Sequence, residues 1–200
     1  MDTTVLFKLS YGLFVLTAKD YDKDNGCIIN TVMQVTDTPL QISFTVNKDN
    51  LTHDFVKNTG EFNVSIISED ADFELFRHFG FQSGRTCHKF ENFADCATSA
   101  NGLKYITKGV NGYISGKVTK TVDLGTHTMF IAEVTDAVGL SSTPSATYAY
   151  YHKSIKPQPQ KTEKKGYRCK ICGYIYEGDE LPEDFICPIC KHGAADFEKL

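Results

Sequence analysis

The feature that most constrains this chain is a pair of C-x-x-C motifs near the C-terminus. They are formed by Cys169, Cys172, Cys187 and Cys190, and 14 residues separate the two motifs. Such spacing places four thiolates around one metal ion, and a tetrahedral tetrathiolate site suits zinc or iron. Domains below about 40 residues usually need a metal or disulfides for stability. The spacing therefore predicts a metal-stabilised domain over residues 167–200, and by itself it leaves zinc and iron open.

Charge separates this segment from the rest of the chain. The 200 residues carry a net charge of −4, and the segments 1–152, 153–166 and 167–200 carry −5, +4 and −3. Nucleic-acid binding needs a clustered basic surface, so the negative balance argues against a nucleic-acid partner. No apolar run is long enough to span a membrane, and the N-terminus lacks the pattern of a signal peptide. We therefore expect a cytoplasmic protein with no nucleic-acid or membrane partner.

The basic segment predicts the domain organisation. Residues 153–166 contain five lysines and two prolines, a composition typical of an extended, solvated linker. We therefore expect a first domain over residues 1–152, a flexible linker over 153–166 and a second domain over 167–200.

The first domain alternates β-prone runs with turn signals. The predicted strands are 11–18, 27–36, 41–46, 61–67, 113–122 and 126–138. Asp24-Asn25-Gly26 predicts a hairpin turn between the first two strands. Short helices are expected over 51–58, with Asn50 or Thr52 as N-cap, and over 70–79. Many strands with few helices predict a mainly β domain with a closed or sandwich-like architecture.

The residues around the four cysteines resemble the rubredoxin family. The resemblance rests on Cys169-Lys-Ile-Cys-Gly-Tyr-Ile-Tyr-Glu and on Cys187-Pro-Ile-Cys, with Phe185 before and Phe197 after the second pair. It implies one iron in an FeS4 site, for which zinc can substitute, and backbone N–H groups near Gly173 and Lys191 that donate to the sulfurs. Two departures stand out, since the stretch between the cysteine pairs is short and Lys191 replaces the usual glycine.

Several stretches of the first domain resemble the flavin reductase-like FMN-binding family. They are Asn25-Gly-Cys-Ile-Ile-Asn-Thr, Lys48-Asp-Asn-Leu-Thr, Phe81-Gln-Ser-Gly-Arg-Thr-Cys-His-Lys-Phe and Gly125-Thr-His-Thr-Met-Phe-Ile-Ala-Glu-Val. The family fold is a split β-barrel that dimerises. The resemblance therefore implies a mainly β, split-barrel FMN domain with a few short helices, followed by a small rubredoxin-like metal-binding domain.

This second resemblance also implies the FMN site. The candidate FMN-binding residues are Asn30, Thr31, Lys48, Asn50, Thr52, Ser83, Gly84, Arg85 and Lys89. Lys48, Asn50 and Thr52 cluster at the start of the first predicted helix, where the helix dipole favours a phosphate. Without the resemblance, the favoured interpretation is that Asn50 and Thr52 are ordinary helix caps and that Lys48 is a solvated charge. His127 occupies the position of a histidine on the nicotinamide side, but Thr126 stands where the family often has aspartate.

The two resemblances together point to the high-molecular-weight rubredoxins. FMN would accept electrons from NAD(P)H or another donor and pass them singly to iron. The final acceptor would be a partner such as the flavodiiron oxygen or nitric oxide reductase of anaerobes, and the chain would form a homodimer. One alternative is an NAD(P)H:flavin reductase that releases reduced FMN and carries a structural zinc tail. A non-enzymatic binding module with a zinc ribbon is the third hypothesis.

Overall fold

A computed structural model describes residues 1–157 and 166–200. These residues form two compact units, Met1–Ile155 and Lys156–Leu200, which we call the large unit and the small unit. Most of the predicted linker, residues 158–165, lies outside the described residues. None of the helices within the described ranges is long and apolar enough to cross a membrane.

The large unit is built mainly from β-strands. The strands are β1 (Phe14–Asp20), β2 (Lys23–Ile29), β3 (Met33–Asp37), β4 (Leu40–Asn47), β5 (Glu61–Ile67), β6 (Cys96–Thr98), β7 (Lys104–Ile106), β8 (Val110–Asp123) and β9 (His127–Gly139). The helices are α1 (Leu51–Thr59), α2 (Phe73–Gly80) and α3 (Tyr148–Tyr150), with a 3-10 turn at Thr3–Lys8 and a π-helical turn at Tyr151–Ile155. The predicted mainly β fold is confirmed.

Seven strands form one antiparallel sheet in the order β2-β1-β5-β8-β9-β4-β3. The hairpin β6–β7 forms a separate two-stranded sheet that the sequence did not predict. Strand β1 is buried on both faces, because Val15 and Leu16, which alternate along it, are both fully buried. The central sheet therefore has apolar packing on both of its faces.

Two hydrophobic clusters lie on these faces. The first is centred on Phe44, whose ring lies 4.6 Å from that of Phe62 and 5.2 Å from that of Phe130, and it includes residues of α1. The second contains residues of α2, including Phe79, and the π-helical turn through Tyr151. Large buried aromatic side chains of this kind provide much of the apolar surface that stabilises a domain.

The structure corrects two strand predictions. The hairpin between β1 and β2 turns at Tyr21 and Asp22, with Tyr21 at φ 50°, and not at Asp24-Asn25-Gly26. Asn25 instead pairs with Ala18 inside the ladder. The predicted strand 27–36 is also interrupted, since β2 ends at Ile29 and β3 begins at Met33. The Asn-Gly pair is a local turn signal, but strand pairing overrides it here.

The predicted first helix is confirmed as α1. Asn50 is its N-cap, and Gly60 ends it in the left-handed conformation at φ 72°, with its N–H bonded to the carbonyl of Val56. The second helix begins later than expected, because the Asp72 carboxylate caps it by accepting from the N–H of Leu75.

The small unit has little regular structure. Its strands are β10 (Tyr167–Cys169), β11 (Ile175–Tyr176) and β12 (Phe197–Lys199), with a 3-10 turn at Ala194–Asp196. They form a three-stranded antiparallel sheet in the order β11-β10-β12. The remaining described residues of this unit are loops, which carry Cys172, Cys187 and Cys190, whereas Cys169 is the last residue of β10.

Candidate functional site

The four predicted metal ligands come together in the small unit. The Sγ atoms of Cys169, Cys172, Cys187 and Cys190 all lie within 4.8 Å of one another. The closest sulfur pairs, Cys169 with Cys190 and Cys172 with Cys187, are 3.5 Å apart. Metal–sulfur bonds of about 2.3 Å in a tetrahedron separate the sulfurs by roughly 3.8 Å. The cysteines therefore fit a tetrathiolate metal ion.

Two similar backbone turns hold the cysteines. The N–H of Gly173 donates to the carbonyl of Cys169, and the N–H of Lys191 donates to the carbonyl of Cys187, each at 2.9 Å. Gly173 and Lys191 have φ values of 80° and 63°. We call the segments 169–173 and 187–191 the first and second cysteine turns.

The environment of the sulfurs differs around the site. Cys169 and Cys187 are buried, whereas Cys172 and Cys190 are half-buried. Burial raises the pKa of the Cys172 thiol to about 11, against a hydrogen bond from the N–H of Tyr174. Burial also opposes ionisation of Cys187, but N–H groups of Cys190 and Ile189 outweigh it and lower the pKa of that thiol. Backbone donors of this kind stabilise thiolates and tune a bound metal.

Aromatic side chains form the apolar shell of the cysteine site. The ring of Phe185 lies 4.8 Å from that of Tyr176 and 5.3 Å from that of Phe197. Tyr174 stacks on Phe185 at 6.4 Å. These side chains pack together with the cysteines in the hydrophobic cluster of the small unit. They limit solvent access to the sulfurs on this side.

The predicted FMN residues at the start of α1 are partly available for a ligand. Asn50 is the N-cap residue, but its side chain makes no capping hydrogen bond. Thr52 is fully buried, and its hydroxyl accepts from the side-chain amide of Asn25 at 2.9 Å. Lys48 is paired with Asp123 at 2.7 Å. A free polar side chain, a nearby cation and the helix N-terminus fit a phosphate group, whereas Thr52 has a packing role.

The predicted loop residues approach the same helix. Arg85 forms an ion pair with Asp54 of α1 at 2.8 Å and donates to the carbonyl of Asp49 at 3.4 Å. Burial opposes ionisation of Asp54, but hydrogen bonds from His53 and Arg85 hold the pKa of its carboxyl below the usual range. The Ser83 carbonyl accepts the N–H groups that follow Arg85 in the turn. The loop and the start of α1 therefore form one polar surface.

Gly84 brings this loop into contact with the sheet. A Cβ on Gly84 would lie 2.3 Å from Oδ1 of Asn25, so only glycine fits without displacement of the loop. The Lys23 ammonium donates to the Gly84 carbonyl at 2.7 Å. The position of the loop is thus fixed by contacts with β2.

Asn25 is a residue of this region that the sequence reasoning missed. It is almost completely buried and connects Thr52 of α1 with Gly84 of the loop. Its Oδ1 accepts no hydrogen bond from any described residue. The Asn-Gly pair carried only a turn signal, and nothing local in the sequence indicated a buried bridging amide.

Lys89 lies in a different environment from the other candidates. It is 3% exposed, and its ammonium donates to the carbonyls of Gly26 at 2.8 Å and Phe79 at 2.9 Å. Burial lowers the pKa of this lysine. Its hydrogen bonds connect the backbone of β2 with that of α2, so this side chain stabilises the packing of these two elements.

Asn30 and Thr31 lie in the connection between β2 and β3, and not in the middle of a strand. The Thr31 hydroxyl donates to the Thr45 carbonyl at 3.0 Å and accepts from the Thr45 N–H at 2.9 Å. His127 begins β9 opposite Asn47, and its Nδ1 lies 2.9 Å from the hydroxyl of Thr126. The Thr126 hydroxyl is thus the side-chain partner of this imidazole.

Comparison with protein families agrees with this two-part architecture. The family described as flavin reductase like domain matches residues 6–158. The family described as rubrerythrin, rubredoxin-like domain matches residues 167–198.

Two curated relatives cover most of the chain. A high molecular weight rubredoxin of Moorella thermoacetica is 37% identical over 230 aligned residues and covers 100% of both chains. A ferric-chelate reductase (NAD(P)H) of Archaeoglobus fulgidus is 36% identical over 81% of this chain and 95% of its own length.

Solved structures agree on the fold of the large unit. An NADH:FAD oxidoreductase of Streptomyces globisporus has a TM-score of 0.65 at 21% identity, over 72% of this chain and 83% of its own. An FMN-binding protein from Thermus thermophilus has a TM-score of 0.60 at 16% identity, over 66% and 71% of the two chains. At these identities the likeness shows the fold alone.

The fold and the cysteine site together define an oxidoreductase in which a flavin-binding β domain precedes a rubredoxin-type four-cysteine domain. The chain belongs to the family of high-molecular-weight rubredoxins, with a flavin reductase-like domain and a C-terminal rubredoxin-like domain.

Proposed function

We propose that this protein is an NAD(P)H-dependent electron-transfer oxidoreductase that delivers single electrons to an external redox protein. The observation that carries the proposal is the presence of a flavin-binding fold and a tetrathiolate site in one chain. FMN converts a two-electron donation into single electrons, and iron bound by four thiolates carries one electron at a time. A flavodiiron protein is the acceptor that we propose.

The large unit supplies the proposed FMN site. Asn50 and Lys48, at the N-terminus of α1, would bind the phosphate. Arg85 would line the adjacent side of the site, since its guanidinium is held against α1 by the ion pair with Asp54. We place reduced nicotinamide on the side of His127, whose imidazole contacts the Thr126 hydroxyl. We propose FMN because Asn50 and Lys48 at the start of α1 suit a phosphate group.

The small unit supplies the proposed iron site and its exit. Cys169, Cys172, Cys187 and Cys190 would ligate iron, and zinc would occupy the same ligands as a structural substitute. The sulfurs of Cys172 and Cys190 are less buried than the other two. Electrons would therefore leave through these two cysteines, where the path to solvent is short.

The relatives support the donor and the chemistry. One relative is a ferric-chelate reductase (NAD(P)H), and another is a high molecular weight rubredoxin. We propose the cytoplasm as the location and a homodimer as the assembly. The dimer is supported by β3, an edge strand of the large sheet whose five residues are all exposed and include Met33 and Val35. Unpaired edge strands are ready sites for association.

A direct test begins with the absorption spectrum and metal content of the purified chain. Bound flavin, about one iron per chain and flavin reduction by NADH or NADPH in stopped flow are expected. The variant Cys172→Ser should keep flavin binding and flavin reduction but lose delivery to an acceptor. Cys96→Ser is the matched control, because Cys96 lies outside the four-cysteine cluster. Delivery that survives Cys172→Ser would refute the proposed route.

A flavin reductase that releases reduced FMN is the second candidate. It is favoured by the ferric-chelate reductase, which aligns over 95% of its own length with only 81% of this chain. Gel filtration separates the two functions. Retained flavin supports internal electron transfer. Release of reduced FMN supports the reductase, as does zinc that remains in the small unit after iron reconstitution.

A further inference from the structure

The charges of residues 167–200 are unevenly placed along the sequence. Residues 167–200 contain seven acidic residues and four lysines or arginines. All seven acidic residues lie outside the first and second cysteine turns, 169–173 and 187–191. Two of the four cations, Lys170 and Lys191, lie inside these turns. Residues 167–200 are therefore negative overall, whereas the only charged side chains within the two cysteine turns are positive.

Lys191 occupies its position at a conformational cost. Its φ of 63° is in the left-handed region, and the equivalent residue of the first cysteine turn is Gly173 at φ 80°. A side chain in this region costs roughly 1–2 kcal/mol relative to glycine. Residues held in such sparsely populated backbone regions cluster at functional sites.

Lys191 gains no compensating interaction within the described part of the chain. Its side chain is exposed, and it forms no hydrogen bond or ion pair with any described residue. Arg168 and Lys199, the cations of residues 167–200 that lie outside the turns, contact Glu198 and the ring of Tyr167 respectively. The charge of Lys191 is therefore directed to solvent or to a partner.

Exposed apolar side chains accompany this charge. Ile171 and Ile189 occupy equivalent places in the two cysteine turns, and each is 38% exposed. Together with Lys170 and Lys191 they form what we call the turn surface. Each of its four residues is adjacent in sequence to a cysteine whose sulfur belongs to the metal cluster. A partner that covers the turn surface approaches the metal ligands closely.

We propose that the turn surface is the docking site for an acidic face of the redox partner, and that Lys191 is its specificity-determining cation. This inference rests on the proposed function and names the surface chemistry of its acceptor. Charge complementarity favours association and orients the encounter. The transfer moves one electron: the reduced metal site is oxidised by one unit and the partner's acceptor is reduced by one, with no bond or proton exchanged.

The first test measures docking without electron transfer. The full chain is loaded with zinc, which has no redox activity, and titrated with hexacyanochromate(III), a paramagnetic trianion, while amide NMR signals are followed. Signals of residues 170–172 and 189–192 should broaden. Lys191→Gln should weaken this association roughly fivefold at low ionic strength, the scale expected for one charge facing a trianion through water.

Two further variants make the docking test decisive. Lys199→Gln changes the net charge of the small unit equally but lies outside the turns, and it should leave the broadening unchanged. Lys191→Gly removes the charge while relieving the backbone, so it should weaken the association as Lys191→Gln does even if the glutamine variant folds poorly. Equal effects of Lys191→Gln and Lys199→Gln, or broadening confined to other residues, would overturn the proposal.

The second test uses the iron-loaded chain after reduction with dithionite. Its oxidation by anionic ferricyanide should slow as salt is added, although the whole chain carries a net charge of −4. Oxidation by cationic tris(phenanthroline)cobalt(III) should show the opposite trend. A ferricyanide rate that rises with salt would refute docking at a positive surface. No nicotinamide is used, so a failed NAD(P)H reaction leaves this result interpretable.

Discussion

The large and small units show two ways to stabilise a domain. The large unit buries apolar side chains on both faces of a seven-stranded sheet. Among the described residues, the hydrophobic cluster of the small unit has three buried members, and two of them, Cys169 and Cys187, are candidate metal ligands. Packing can stabilise the first, whereas the second depends on metal ligation because its apolar core is too small.

Metal removal should produce the largest difference between the units. Anaerobic chelation is expected to unfold residues 166–200, because structural tetrathiolate metals contribute about 10 kcal/mol or more to folding. The large unit should keep its structure. Amide hydrogen exchange measures both units in one sample. Protected amides in the small unit after complete metal removal would contradict a metal-dependent fold.

Truncation of a core aromatic should have the reverse effect. Phe130 is 0% exposed and stacks on Phe44 at 5.2 Å. Phe130→Ala should destabilise the large unit by about 3–5 kcal/mol in urea unfolding and leave the metal content unchanged. Leu140→Ala, at a residue that is 39% exposed, is the control and should change stability by no more than about 0.5 kcal/mol. Equal losses for both variants would argue against a core centred on Phe44.

A glycine substitution tests the proposed flavin site within the large unit. Gly84→Ala should displace the loop from Asn25 and weaken FMN binding roughly tenfold, which corresponds to about 1.4 kcal/mol. Gly139→Ala is the matched control, because no atom of a described residue lies within 4 Å of a Cβ at that position. Flavin fluorescence quenching measures both affinities. An unchanged FMN affinity of the Gly84→Ala variant would show that the loop is not part of the flavin site.

The smallest effect is expected at the strained lysine of the small unit. Lys191→Gly should raise the thermal stability of the zinc-loaded small unit by about 0.5 kcal/mol. The reason is that relief of the backbone strain at φ 63° slightly outweighs the conformational entropy that glycine adds to the unfolded chain. Lys170→Gly should lower stability, since no left-handed strain is relieved there. Differential scanning calorimetry compares the two, and a loss of stability for Lys191→Gly would show that the lysine supports the fold.

Sequence patterns predicted those features that depend on residues close together in the chain. The strand alternation and the Gly60 stop signal correctly predicted a mainly β domain and the first helix. The predicted hairpin turn was wrong, because Asn25 and Gly26 pair with β1 inside the strand ladder. The β6–β7 hairpin was missed, since its strands have three residues each.

The candidate flavin site depended more heavily on the tertiary structure. Lys89 and Thr52 were predicted as ligands from their place in motifs, yet their polar atoms bond to groups within the fold. Asn25 connects α1 and the Gly84 loop although it is 59 residues from Gly84 in the chain. No local pattern encodes such a contact, because it arises only when β2, α1 and the loop pack together.

The sequence by itself determined the four-cysteine site, since metal ligation requires only four thiolates at a suitable spacing. It also determined the mainly β character of the large unit, which follows from local residue preferences. Only the tertiary structure decided which polar side chains face a ligand and which support the backbone. It also revealed that Lys191, next to Cys190 in sequence, has a left-handed backbone conformation. Burial and hydrogen bonding depend on neighbours that are distant in the chain, and these neighbours exist only in the folded protein.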